Sequence, residues 1–338
     1  MTLLRELRKD LTFRLLRSGI HGARRASSAD SIERLRKALR VASRLAVPLR
    51  RKVATNMKLA GLYRPGLVEA YFERAIDQYV MMAHLLRAGS FAASGCADRY
   101  VFDDSFGILE QAHAAGRGVI HIAPHICAYP LYGCAVGLRL PCRTYMRRTK
   151  DPRKWELNGS ALESGEGHFV YPPEGAADTD RLKVAMEVVR SGRILYITPD
   201  FPRMPHRGTS VRFLDRTAYF RTGAFIMALR AGAPVVPAFW HWDGEAYRVR
   251  IGEPYELDRS RGIHEQAEAA TRKWTADVDA FVREHPEMWW NWLDKRWTQI
   301  LRGRGAFDPG ILQPVARSVS PPAGDREGSA VPPQRGRV

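Results

Sequence analysis

Three apolar runs in this chain each end in proline followed by a residue that can move or hold a proton. GVIHIAPH leads through Val119, Ile120 and Ile122 to Pro124 and His125; HFVYPPE ends at Pro172, Pro173 and Glu174; ILYITPD ends at Pro199 and Asp200. Short β-branched runs closed by proline read as buried strands. Laid parallel in one sheet, they bring a histidine and two acids to the carboxyl edge, where open α/β sheets bind ligands. A histidine there serves as a general base when another group orients its ring. Taken singly, each acid also reads as a loop or capping residue, and Asp200 ahead of Pro202 is a good turn former.

Beyond Asp200, PRMPHRGTSVRFLDRTAYFRTGAF reads as a loop carrying Arg203, Arg207, Arg212, Arg216 and Arg221 into a helix that starts near Thr222. Arginines gathered at a helix N-terminus suit a phosphate or carboxylate; dispersed, they are solvated surface. Cys127, two residues from His125, raises the idea of a covalent thioester relay. A small buried thiol is the preferred reading, and Cys96, Cys134 and Cys142 share it, since the four form neither a C-x-x-C pair nor a disulfide framework. HPEMWWNWLDKRW sets Trp289, Trp290, Trp292 and Trp297 beside Lys295 and Arg296, which fits either a membrane interface or a packed core.

The elements that must position these residues follow from hydrophobic period. Strands are expected at 118–123, around 142–146, and at 168–171, 194–198, 234–239 and 246–251, with helices at 130–138, 152–163, 179–191, 221–231 and 264–284. This alternation predicts an α/β fold, a mixed and mostly parallel sheet flanked by helices. Ser105 to Ala115 reads as a helix ending at Gly116, and Pro65 opens another through Leu67, Tyr71, Ala75 and Tyr79. Upstream, Leu4, Leu7, Leu11 and Leu15 define a basic amphipathic helix, and Ile32, Leu35, Leu39 and Val41 a second. Residues 1–60 are therefore expected to be N-terminal amphipathic helices that dock on an anionic membrane surface, 61–302 the α/β body, and the Pro-, Gly- and Arg-rich 303–338 a disordered tail.

With 53 Lys and Arg against 36 Asp and Glu, the net charge is +17, so phosphate-bearing partners are expected. Nucleic acid is not expected, because no nucleic-acid motif accompanies the charge. No cleavable signal peptide and no run of about 18 apolar residues is read, so no transmembrane helix is expected and the body is placed in the cytoplasm. No metal and no cofactor is expected.

In their order, GRGVIHIAPH, the Asp200 strand end, VRFLDRTAYFRTGAF, ALRAGAPVVPAFW and HPEMWWNWLDKRW resemble the bacterial lipid A biosynthesis acyltransferase family, from about Arg51 to about Trp297. The late lauroyl and myristoyl transferases belong there, with phosphatidylinositol mannoside acyltransferases as relatives. The resemblance implies a glycerolipid acyltransferase-like fold and a peripheral enzyme on the cytoplasmic face of the bacterial inner membrane. It implies acyl transfer from an acyl-carrier-protein or coenzyme A thioester to a hydroxyl or amine of a glycolipid or related acceptor, with no acyl-enzyme needed. Such enzymes use a His, four residues, then Asp or Glu; here His125 matches, but Pro130 occupies the acid's place. Counting from His121 or His113 reaches Ile126 or Gly118 instead. Asp200, or failing it Glu174, then orients His125 from a neighbouring strand; otherwise the base works without an orienter, or the protein is a silent lipid- or partner-binding homologue. The family's arginine after the second strand is matched by Arg147, with Arg148 beside it; with Glu174, Arg212, Arg216 and Arg221 they complete the expected substrate contacts.

Overall fold

The computed structural model describes residues 29–146, 168–173, 175, 178–203, 208–257, 260 and 262–303. The expected helices at Leu4–Leu15 and 152–163, and the tail beyond Gly303, lie outside them.

Seven strands form one sheet in the order β1 (Tyr100–Phe102), β9 (Tyr247–Ile251), β8 (Val235–Trp242), β2 (Val119–Ile122), β5 (Ile194–Ile197), β3 (Cys142–Tyr145), β4 (Phe169–Val170). From β4 to β8 every pairing is parallel, β9 runs against β8, and β1 lies parallel to β9. The fold is thus α/β with a mixed, mostly parallel sheet. Val119 to Ile122 are all fully buried, as expected of a central parallel strand covered on both faces. β8 outruns its expected end at 239 because Trp240, His241 and Trp242 pair with β9. The three-residue edge strand β1 is too short to carry a readable pattern.

Helices α1 (Ala29–Leu45), α2 (Val47–Leu59), α3 (Leu67–Ala88), α4 (Phe106–Ala114), α5 (Tyr129–Gly137), α6 (Asp178–Arg190), α7 (Gly223–Ala231), α8 (Ile263–Glu284) and α9 (Lys295–Leu301) accompany the sheet. α1 and α2 pack on the body: Ile32 sits against Ile76 and Val80 of α3, and Asn56 Nδ2 donates to Trp292 O at 2.7 Å. Trp289, Trp292 and Trp297 are fully buried, so the tryptophan-rich segment resolves largely into core.

One expectation is corrected. Much of the arginine-bearing stretch read as a loop is an antiparallel hairpin, β6 (Thr209–Phe213) and β7 (Arg216–Phe220). Thr209, Val211 and Phe213 face inward and Ser210 and Arg212 outward, the period-2 alternation of a strand. Its turn residues, Leu214 at φ 48° and Asp215 at φ 59°, take the left-handed backbone that favours Asn-Gly in such turns. Leu214 tolerates it in a fixed setting: its side chain is buried and its N–H donates to Asp279 Oδ1 of α8.

Candidate active site

The register between β2 and β5 builds the site. Ile122 lies opposite Ile197, so His125 and Asp200, each three residues further along, leave the sheet edge side by side. Asp200 is fully buried and His125 is 5% exposed. Asp200 Oδ1 takes a close hydrogen bond from His125 Nδ1. The other carboxylate oxygen, Oδ2, accepts from three donors: the backbone N of His125 at 2.9 Å, Trp289 Nε1 at 3.0 Å and Asn291 Nδ2 at 2.9 Å. A buried carboxylate requires this many partners. With Nδ1 donating to Asp200, Nε2 is the acceptor nitrogen of the neutral ring, and Thr198 Oγ1 lies 3.1 Å from it.

The C-terminal segment clasps this pair. After α8 the chain turns through two short 3-10 segments, Pro286–Met288 and Trp290–Leu293. Trp290 N donates to His125 O at 2.7 Å and Cys127 N to Met288 O at 2.8 Å, while the Trp240 indole N–H donates to Cys127 O at 2.9 Å. The loop bearing His125 is thereby fixed at its backbone as well as at its ring.

Pro130 has a structural task in the acid's place. It lies in the first turn of α5, where proline's fixed φ suits a helix start and its missing N–H goes unneeded. Ala128 before it takes φ 66°, and its N–H donates to Gln78 Oε1 of α3 at 2.9 Å.

The other two candidates near the motif are scaffold. His121 is fully buried, with Nδ1 2.9 Å from Val236 O and Nε2 2.7 Å from the Tyr132 hydroxyl, and burial pushes its pKa down to about 4. The Cys127 thiol is also fully buried, and burial pushes its pKa far up, which opposes any thiolate relay.

His125 opens onto a cavity of about 500 Å³. Tyr129, Tyr196, Phe201, Met146 and Met227 give it an apolar wall, and Arg181, Arg203, Arg221 and Arg296 line it with charge. Of the arginines expected to contact substrate, Arg221 is there. Arg212 and Arg216 are not among its lining: Arg212 points outward from β6 and pairs with Asp215 at 3.1 Å, and Arg216 Nε donates to Leu301 O at 3.3 Å. Arg147, Arg148 and Glu174 lie outside the described residues. Sequence reasoning did not select Thr198, Trp289 or Asn291 for the site, nor Arg181 and Arg296. A polar Asn291 inside a tryptophan run, and a hydroxyl at the end of β5, were the available signals.

A family model described as bacterial lipid A biosynthesis acyltransferase matches residues 72–299, more than half of the chain and inclusive of every site residue described above. No curated protein matches the sequence.

Proposed function

We propose that this chain, which belongs to the bacterial lipid A biosynthesis acyltransferase family and is an acyltransferase of that type, uses His125 as the general base for moving a fatty acyl group from a thioester donor to a hydroxyl or amine of a glycolipid or related acceptor. The observation that carries the reading is Asp200 on His125 Nδ1, which restores the orienting acid that Pro130 displaces. Nε2 takes the proton of the oxygen or nitrogen that attacks the thioester carbonyl, Asp200 stabilises the resulting imidazolium, and the departing thiolate receives that proton.

The donor is an acyl-carrier-protein or coenzyme A thioester. Arg181, Arg203, Arg221 and Arg296, with Arg147 and Arg148, contact its phosphate or that of the acceptor, Glu174 contacts a hydroxyl or amine of the substrate, and the cavity's apolar wall receives the chain. Arg212, paired with the Asp215 carboxylate, and Arg216, which donates to the backbone carbonyls of Leu301 and Asp215, lie on the hairpin and are not among the cavity lining. The enzyme acts at the cytoplasmic face of the inner membrane. No helix among the described residues is long and apolar enough to span a bilayer. The corner between α1 and α2 exposes Val41, Leu45, Val47 and Leu49 beside the exposed Arg44 and Arg51, a pairing of apolar and basic groups suited to an anionic lipid surface. The silent-homologue reading has no observation in its favour, since a carboxylate reaches the ring.

Purified protein given labelled acyl-coenzyme A or acyl-carrier protein and a glycolipid-containing lipid extract transfers label to lipid, and His125→Ala reduces transfer by about a thousandfold or more. Equal transfer by the variant overturns the assignment.

A further inference from the structure

We infer that Phe201 is a specificity-determining residue: it keeps water off the working nitrogen of His125, so that the thioester is passed to the lipid acceptor instead of being hydrolysed. This rests on the acyl-transfer reading above and says what such a site must refuse. Nδ1 of His125 is committed to Asp200, which leaves Nε2 as the base, and a base that takes a proton from a lipid hydroxyl takes one equally well from water. In hydrolysis the water oxygen bonds the thioester carbonyl carbon, its proton passes to Nε2, the C–S bond breaks and the thiolate leaves with that proton. A free fatty acid and a thiol result. Transfer follows the same steps with the acceptor's oxygen or nitrogen in place of water's, so what reaches Nε2 divides the two outcomes.

Phe201 is built into the wall at that point. Its ring centroid lies 4.1 Å from that of His125, and Tyr129 meets the same imidazole edge-on at 4.6 Å. All three line the cavity, yet His125 is only 5% exposed. Elsewhere the cavity, with four arginines in its wall, has both room and partners for water. Beside the imidazole a water molecule meets an aromatic ring on two sides, and for hydrogen bonding it finds Nε2 and the Thr198 hydroxyl 3.1 Å from it. A lipid hydroxyl is brought to Nε2 by the binding of the rest of its molecule; water has nothing else to hold it there.

Neighbours on both sides hold Phe201 in place. It directly follows Asp200, whose carboxylate takes four hydrogen bonds, so the acid that orients the imidazole also delivers its cover. Pro202 comes next, and the residue before a proline keeps to extended backbone. The Arg296 guanidinium stands over the Phe201 ring, 4.4 Å from its centroid. Arg296 is itself fixed by Asp294, through Nε to Oδ1 at 3.0 Å and Nη2 to Oδ2 at 2.7 Å.

A product ratio tests this. Wild-type protein, Phe201→Leu and Phe201→Ala, each checked for native melting, are given labelled acyl-coenzyme A or acyl-carrier protein with a glycolipid-containing lipid extract, and free fatty acid is counted against acylated lipid. In wild type acylated lipid dominates. The ratio of acid to lipid climbs from wild type through Leu to Ala, by about tenfold or more at Ala, the scale on which an apolar pocket discriminates. Added ethanol, a hydroxyl with no lipid to anchor it, becomes ethyl ester with Phe201→Ala and not with wild type. His125→Ala in the Phe201→Ala background ends every product. If Phe201→Ala does not fold, the rise at Leu, about threefold, is the result read. A ratio that stays at the wild-type value in the folded variants overturns the proposal and leaves His125 as the base; so does transfer lost with no gain of acid or ethyl ester, or a wild type that already makes as much acid as acylated lipid. Failure of the underlying reading looks different: wild type releases no thiol from either donor even with lipid present, and the role of Phe201 falls with it.

Discussion

Asp200 shows how much of this site depends on residues that never touch a substrate. Its Oδ1 is given to the His125 ring and its Oδ2 to three N–H donors, two of them on side chains some ninety positions away in sequence. Asp200→Asn keeps the shape but replaces an acceptor with a donor facing donors, and loss of the orienting acid is worth about ten thousandfold in comparable triads. We expect a loss of that order in kcat for acyl transfer, with KM little changed. Trp289→Phe removes one bond to a charged group, worth about 1.5–3 kcal/mol, so kcat falls roughly tenfold to a hundredfold. Asn291→Ala acts alike, whereas Asn291→Gln, able to offer the same amide, restores part of the rate. Unchanged kcat in Trp289→Phe refutes the positioning role. His125 and Asp200 were legible in the sequence because each closes an apolar run with a proline before it. Their clasp was not, because Trp289 and Asn291 meet the acid only through tertiary packing, and an indole in a tryptophan run reads equally as core or interface.

The same division holds among the elements. Strands β2, β5 and β8 and helices α5 to α8 stand close to where the hydrophobic pattern places them, since continuous buried runs and amphipathic periods are local signals. The β6–β7 hairpin escaped because Leu214-Asp215 lacks the Asn-Gly chemistry that marks such turns, and its left-handed backbone is held from outside by Asp279. Glycine at 133 illustrates a requirement visible only when elements meet. A Cβ there would stand 1.9 Å from Thr144 Oγ1 and 2.9 Å from the Tyr196 ring, so α5 touches β3 and β5 almost backbone to side chain. Gly133→Ala forces α5 off the sheet, an overpacking cost of about 1–3 kcal/mol. Calorimetry should show a melting point several degrees lower, and transfer should fall as well, because α5 begins four residues after His125. A variant that melts with wild type contradicts the tight packing.

Across the whole molecule, the charge of +17 was plain from composition, but the exposed leucines at the corner between α1 and α2 were not, because charge counts do not say where apolar groups lie. Stability has its own long-range feature in His121, buried neutral between Val236 and Tyr132. The unfolded chain protonates this histidine near 6.5 and the folded chain near 4. The unfolded state therefore binds more protons between those values, and this contribution to stability, complete above about pH 6.5, is lost as pH falls toward 4, at about 1.4 kcal/mol per pH unit. Denaturant midpoints measured at pH 7 and pH 5 should differ accordingly, with a smaller difference in His121→Asn; equal differences in the two proteins refute the assignment. The clasp around Asp200 also has a consequence in time. The proposed base lies at 125, its acid at 200 and the acid's side-chain N–H donors at 289 and 291, so a chain still on the ribosome carries an unfinished pair until residue 291 has emerged. Under the proposed role of this pair, synthesis order delays activity until nearly the whole domain has been made.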